Sequence, residues 1–310
     1  MKSIFFKTIK DTQFRKISKE RPGCWIHYDN VTKENLEEAS KLAQIDFQDI
    51  SDSLDIYELP RIERENGAVI IYLRTPVEKK RELLKHTELL TIIITKNYFI
   101  TISKEKSDLI DAFIQAFKTQ AIATTQATKF LLQILNLASN TYTKKVRKIR
   151  DNIVKKTNRI SKITNEIIAE LLKYEEILQE YLLSLTPTKN IINAILTGKY
   201  LALFEEDKDL LDDLKISIQQ SLDICNITLK NLVSMRDSYQ IIFTNELNRV
   251  MKFLTGFTII LTIPNIISGI YGMNIRLPIE KSPHAFSFLL LLIFGLMFIS
   301  YNIFKERNWL

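Results

Sequence analysis

The sequence predicts an α/β domain followed by long α-helices and two C-terminal transmembrane helices. Three observations carry this reading. Short apolar β-like runs are confined to the first hundred residues. Gly and Pro are absent from Val77 to Thr186 and again from Lys199 to Thr255. Two stretches near the C-terminus, Phe253–Ile275 and Ala285–Phe304, hold 23 and 20 residues without Asp, Glu, Lys or Arg.

The β-like runs are CWIHY at 24–28, AVIIYLR at 68–74, LLTIIIT at 89–95 and YFITIS at 98–103, with Lys96-Asn97 as the turn of a hairpin between the last two. Between the first and second runs, Thr32 to Ile45 reads as a capped helix, with Thr32 as N-cap and Asn35, Glu37 and Glu38 in its first turns. Residues 1–105 are therefore expected to form a cytoplasmic α/β domain, and residues 106–207 a helical region in which apolar positions recur at helical spacing from Asp108 onward. Pro187 is expected to close the first long helical stretch and Gly198 to mark a second break. One continuous helix from about Lys208 to Gly272 follows, with 208–252 as a stalk and 253–275 as the first span.

At about 1.5 Å per residue both charge-free runs cover the roughly 30 Å of bilayer hydrocarbon. Residues 276–284, with Pro278 and Pro283, form a short extramembrane loop; 285–304 is the second span and 305–310 a tail. Arg249, Lys252, Lys305 and Arg307 flank the spans on one side, while Arg276 and Lys281 lie in the loop, a bias that favours both termini inside. The opening MKSIFFKTIK runs at once into charged sequence and is not read as a secretory signal, so about 250 residues are assigned to the cytoplasm.

Net charge is +7, but acidic residues are interspersed throughout and no nucleic-acid motif accompanies the excess; a basic inner-membrane surface explains it better. Cys24 and Cys225 lack metal-site spacing, and His27, His86 and His284 share no neighbourhood. There is no GxSxG, P-loop or Gly-rich dinucleotide turn, so nothing points to an enzyme.

The long helix carries a line of small and polar residues. Asp237, Ile241, Thr244, Asn248, Met251, Thr255, Thr258, Thr262, Asn265, Gly269 and Gly272 are separated by alternating steps of 4 and 3, the seam that faces the axis of a left-handed bundle. Close helix packing in lipid accounts for small residues. It does not call for Asn265 in mid-membrane or for Asp237 and Asn248 on the same line, whereas a watery pore needs oxygens along its wall. Thr, Asn and Asp oxygens suit hard cations, magnesium first. Two spans per chain cannot enclose a polar path, so such a pore needs several copies around an axis.

At the end of this helix stands Tyr271-Gly272-Met273-Asn274, with the second span directly after it and Trp309-Leu310 behind a basic cluster. Here the sequence resembles the CorA family of magnesium channels over essentially the whole chain. The resemblance implies a funnel-shaped homopentamer in the cell membrane, with Gly272, Met273 and Asn274 as the outer selectivity filter. It implies polar and hydrophobic constrictions at Asn248, Met251 and Leu254, and an acidic ring at Asp237. It also implies passive influx of Mg2+, with Co2+ or Ni2+ as further transported ions, and closure when Mg2+ fills sites between neighbouring subunits; Asp52 in ISDSLDIYELPRIE and Asp213 in LLDDLKISIQ match the carboxylates of that sensor. The chain departs from the family pattern at Ile263-Pro264-Asn265, in the basic segment Lys144–Lys162 and in its less basic C-terminus. Glu280 is the one loop acid. A zinc, cobalt or nickel carrier of the same superfamily, or a membrane scaffold without transport, are the competing readings.

Overall fold

The computed structural model describes residues 1–77, 86–116, 122–157, 165–279 and 282–309. Glu280, Lys281 and the end of the basic segment at Lys162 lie outside the described residues. Two compact units are distinguished, Met1–Ser234 and Met235–Leu310.

The first unit is built on a seven-stranded sheet: β1 (Lys2–Phe6), β2 (Arg15–Lys16), β3 (Cys24–Tyr28), β4 (Arg61–Glu65), β5 (Ala68–Pro76), β6 (Thr87–Ile94) and β7 (Tyr98–Ser103), in the order β2-β1-β3-β7-β6-β5-β4. All neighbours are antiparallel except β3 and β7. The four strands read from apolar runs are the ones buried in the sheet interior, and every residue of β3 and β5 is buried. Both faces are covered, which is why these strands read as continuous apolar runs rather than alternating ones. On one face Ile26, Tyr28, Ile70 and Ile100 pack against Leu36, Ala39 and Ala43 of α1 (Lys33–Ala43). On the other, the Trp25 ring meets Phe113 of α3 (Asp108–Ala116) and Phe130 of α4 (Ala127–Thr157) edge-on at 5.9 and 5.2 Å.

The cap of α1 is the expected one: Asn35 N donates to Thr32 Oγ1 and Thr32 N to the Asn35 side chain, a capping box. After α1 come α2 (Phe47–Ser51) and a single 3-10 turn, Asp52–Leu54. Strands β2 and β4 escape the sequence reading because they are short or charged edge segments, and β1 because only Ile4 of its five residues is buried. For β4 the turn signal was nevertheless present. Asn66 and Gly67 both have positive φ, 48° and 81°, the conformation a tight hairpin needs and an Asn-Gly pair supplies.

Three long helices follow: α4, α5 (Asn165–Leu196) and α6 (Glu205–Tyr271). Pro187 does not close a helix as expected but lies inside α5. The carbonyl it deprives of a donor is that of Leu183, an exposed residue where water can take over. Glu180 of α5 reaches the sheet, accepting from the backbone N–H groups of His86 and Thr87 at 3.1 and 3.0 Å, beside the buried Arg74. The part of α6 up to Ser234 is held by small residues: Ser139 of α4 lies 3.0 and 3.1 Å from the hydroxyls of Ser217 and Ser221. Cys225 is fully buried, its thiol donates to Leu178 O at 3.5 Å, and burial pushes the thiol up to about 12.

The second unit pairs the remainder of α6 with α7 (Ala285–Glu306). Both α6 and α7 contain windows apolar enough to cross a membrane, with mean hydropathy 1.7 and 2.2. Only 11% and 0% of those windows are buried, unlike a soluble core helix.

Candidate functional site

Every seam residue from Asp237 to Gly272 falls on α6 or directly at its end, and all of them are exposed. The threonines present a defined chemistry. Thr244 Oγ1 donates to Gln240 O at 2.9 Å, Thr258 Oγ1 to Leu254 O at 2.8 Å and Thr262 Oγ1 to Thr258 O at 2.7 Å. With the hydroxyl proton consumed inside the helix, what remains outward is oxygen lone pairs, which accept from the water shell of a cation. Asn248, Thr255, Asn265 and Gly269 add polar or minimal surface to the same line, and Met251 is its soft member. Leu254 is exposed beside Thr255 rather than on the seam itself. At the N-terminal end of the seam Asp237 pairs with Arg236 at 3.1 Å and, with Gln240, Ile241 and Thr244, lines a groove of 300 Å³.

The seam is open because α7 takes the opposite face. Phe253, Phe257 and Ile260 of α6 face Phe294, Phe298 and Tyr301 of α7 across a 740 Å³ groove, and Gly256 and Ile260 are buried. Residues two positions apart along an α-helix differ by about 200°. Phe253, Phe257 and Ile260 therefore lie nearly opposite Met251, Thr255, Thr258 and Thr262.

Helix α6 continues through Pro264 and stops at Tyr271, four residues short of the expected end of the span. Gly272, Met273 and Asn274 form the turn that follows. Gly272 N donates to Ser268 O at 2.9 Å and Met273 N to Ile270 O at 3.2 Å, while Tyr271 Oη donates to Pro278 O at 3.3 Å, tying the helix end to the loop. A Cβ at Gly272 would sit 3.2 Å from the Ser268 carbonyl oxygen, so the tightness of this turn favours glycine. The Asn274 side chain is exposed beyond it.

The sensor candidates lie in the first unit. Asp213 is exposed on α6. Asp52 opens the 3-10 turn and accepts from Arg61 at 2.8 Å. Arg61 also contacts Glu58 and Glu63 and lies 4.2 Å from the Tyr72 ring centroid. Partial burial pulls the Arg61 guanidinium down, but its bonds to Glu63 and Asp52 outweigh that and hold it above the ordinary value. No hydrogen bond or ion pair joins Asp52 to Asp213 within the chain, and the described residues hold no group of three His, Cys, Asp or Glu side chains placed for a metal. The donors fit a hard cation in type, each an accessible carboxylate, provided that a second subunit completes the set and the cation displaces Arg61 from Asp52.

A family model described as CorA-like Mg2+ transporter protein matches residues 22–306. The chain belongs to this family. Among the similar CorA-family proteins is the cobalt/magnesium transport protein CorA of Methanocaldococcus jannaschii, 27% identical over 92% of this chain and 91% of that protein. The complete structure of the CorA magnesium transporter from the same organism superposes with a TM-score of 0.82 at 24% identity, covering 100% of this chain and 99% of that one. The structure of full-length CmaX matches with a TM-score of 0.74 at 14% identity, over 99% and 97% of the two chains. These structural likenesses place the CorA fold on the whole chain. Sequence reading missed Arg61 as the partner of Asp52, although the alternating acid and base of RIERE at 61–65 marks a strand whose charges face one another.

Proposed function

We propose that this CorA-family chain forms a homopentameric channel in the cell membrane that conducts Mg2+ inward and is closed by intracellular Mg2+. The observation that carries the reading is the exposed line of oxygen-bearing and small side chains along α6, ending at the Gly272-Met273-Asn274 turn. Five such helices around an axis enclose a polar path whose walls accept from hydrated ions. Asn274 at the outer mouth is the filter, and neutral ligands bind weakly enough to release the ion. Asn248, Met251 and Leu254 form the inner constrictions and Asp237 the acidic ring below them. Arg249, Lys252, Lys305 and Arg307 put the N- and C-termini on the cytoplasmic side, with residues 276–284 outside. A divalent ion moving inward gains about 4.6 kcal/mol per 100 mV of inside-negative potential, enough to drive uptake without ATP. Gating rests on Asp52 and Asp213 of neighbouring subunits, whose carboxylates repel until a divalent ion bridges them.

The test is uptake into proteoliposomes loaded with a magnesium-sensitive dye under an inside-negative potential, comparing wild type with Asn274→Ala. Influx that the variant loses supports the channel and its filter. The name of the archaeal relative brings cobalt into the parallel assay, alongside nickel and zinc; zinc entry without magnesium entry overturns the assignment in favour of a transition-metal carrier.

A further inference from the structure

We propose that the groove between α6 and α7 is a binding site for an anionic phospholipid. Its walls are aromatic, with Phe253 and Phe257 stacked at 6.1 Å on α6 and Phe294, Phe298 and Tyr301 on α7, and it is open along its length. From Phe253 to Ile260 the wall extends about 10 Å, the greater part of one leaflet's share of a hydrocarbon core about 30 Å thick. One acyl chain fits along it.

Charge at one end of the groove selects the headgroup. Lys305 Nζ stands 6.0 Å from the centroid of the Tyr301 ring, which itself lines the groove. Arg249 lies one helical turn before Phe253 on the same face of α6. Neither Arg249 nor Lys305 has a carboxylate partner among the described residues, and the opposite end of the groove, around Ile260 and Phe294, carries no cation. An apolar trough closed at one end by two uncompensated cations matches a lipid whose phosphate stays ionised and uncompensated, as in phosphatidylglycerol, better than a zwitterionic one. Because the same groove fixes α7 against the face of α6 opposite the seam, the lipid would act as a wedge behind the pore helix.

The site rests on the two-span reading given above. Its test is the lipid retained by the purified full-length protein after exchange from bilayers of equal phosphatidylglycerol and phosphatidylcholine, read by native mass spectrometry. The expected result is an enrichment of phosphatidylglycerol of about tenfold per subunit, falling to near unity in the Arg249→Gln/Lys305→Gln double variant. Met297→Trp, which fills the groove, is expected to lose the bound lipid of either kind while keeping the same oligomer on size exclusion. Equal retention of both lipids by wild type, or an unchanged preference in the double variant, overturns the proposal. So does an oligomer that dissociates in Met297→Trp with no lipid retained by wild type, which assigns the groove to a neighbouring subunit. A chain that fails to insert into bilayers at all defeats the channel reading instead, so the two failures are distinguishable.

Discussion

The guanidinium of Arg61 holds the carboxylate of Asp52 at 2.8 Å, on the side chain proposed for magnesium sensing. On the proposed sensor role of Asp52, Arg61 is a tethered cation that a divalent ion must displace. Removing it in Arg61→Gln is expected to lower the internal Mg2+ concentration that half-inhibits uptake by up to about fivefold, because the cation no longer has to displace a part-exposed ion pair worth up to about 1 kcal/mol. Dye uptake at graded internal Mg2+ reads this directly. Asp52→Asn should move the curve the other way, and curves unchanged in both variants would remove Asp52 from the sensor.

Asp213→Ala should likewise weaken closure at high internal Mg2+ while leaving open-state flux intact. Asp213 is exposed and takes no part in the packing of α6 against α4 and α5, so the fold loses little. Inhibition equal to wild type would show that the second carboxylate lies elsewhere.

The hydroxyl of Thr258 is satisfied within its own helix by Leu254 O at 2.8 Å. Replacing it in Thr258→Leu therefore orphans no buried group and is expected to cost less than about 1 kcal/mol of stability. Yet it puts a bulky apolar side chain on the seam. Assembly on size exclusion should be normal and ion flux lost. A variant that conducts like wild type would take Thr258 off the pore wall, and a wild type that conducts no ion while the variant assembles equally well would favour a scaffold over a channel.

Gly272→Ala tests the turn. The added methyl meets the Ser268 carbonyl at 3.2 Å, so the backbone must shift by a few tenths of an ångström at the proposed filter. Flux should fall by tenfold or more with a stability loss of about 1–3 kcal/mol, the usual range for overpacking. Parallel measurement of uptake and thermal unfolding separates the two effects.

Trp25 Nε1 donates to Thr101 Oγ1 at 2.9 Å, which leaves the Thr101 hydroxyl proton for His27 Nδ1, also at 2.9 Å. Burial drives the His27 imidazole down to about 4. Its folded value lies below the unfolded one, so the unfolded chain binds the extra proton as pH falls from about 6.5 to 4. Stability is full above that window and declines by up to about 3 kcal/mol across it. Thermal unfolding of the full-length protein between pH 4.5 and 7.5 should show this slope, and His27→Gln should flatten it.

Arg61 and Asp52 also mark the limit of what could be read in advance. The buried strands β3, β5, β6 and β7, the Thr32 cap, the two membrane-length helices and the Gly-Met-Asn turn were legible because each is a local pattern of apolar runs, caps or charge-free length. Strand β4 was not. Its RIERE sequence lacks the apolar signal, and only pairing with the wholly buried β5 makes it a strand. Pro187 misled for the converse reason: a helix tolerates proline where the freed carbonyl of Leu183 reaches solvent, and exposure is not a property of sequence spacing.

By itself the sequence determined the order of the four buried strands and the two spans and the spacing of the seam, since these follow from hydrophobic period and helical geometry along one stretch of chain. Only tertiary structure decided which face of α6 stays open. That depends on α7 setting its phenylalanines opposite Phe253, Phe257 and Ile260 across the groove, an arrangement of separate segments that no periodicity in either one specifies.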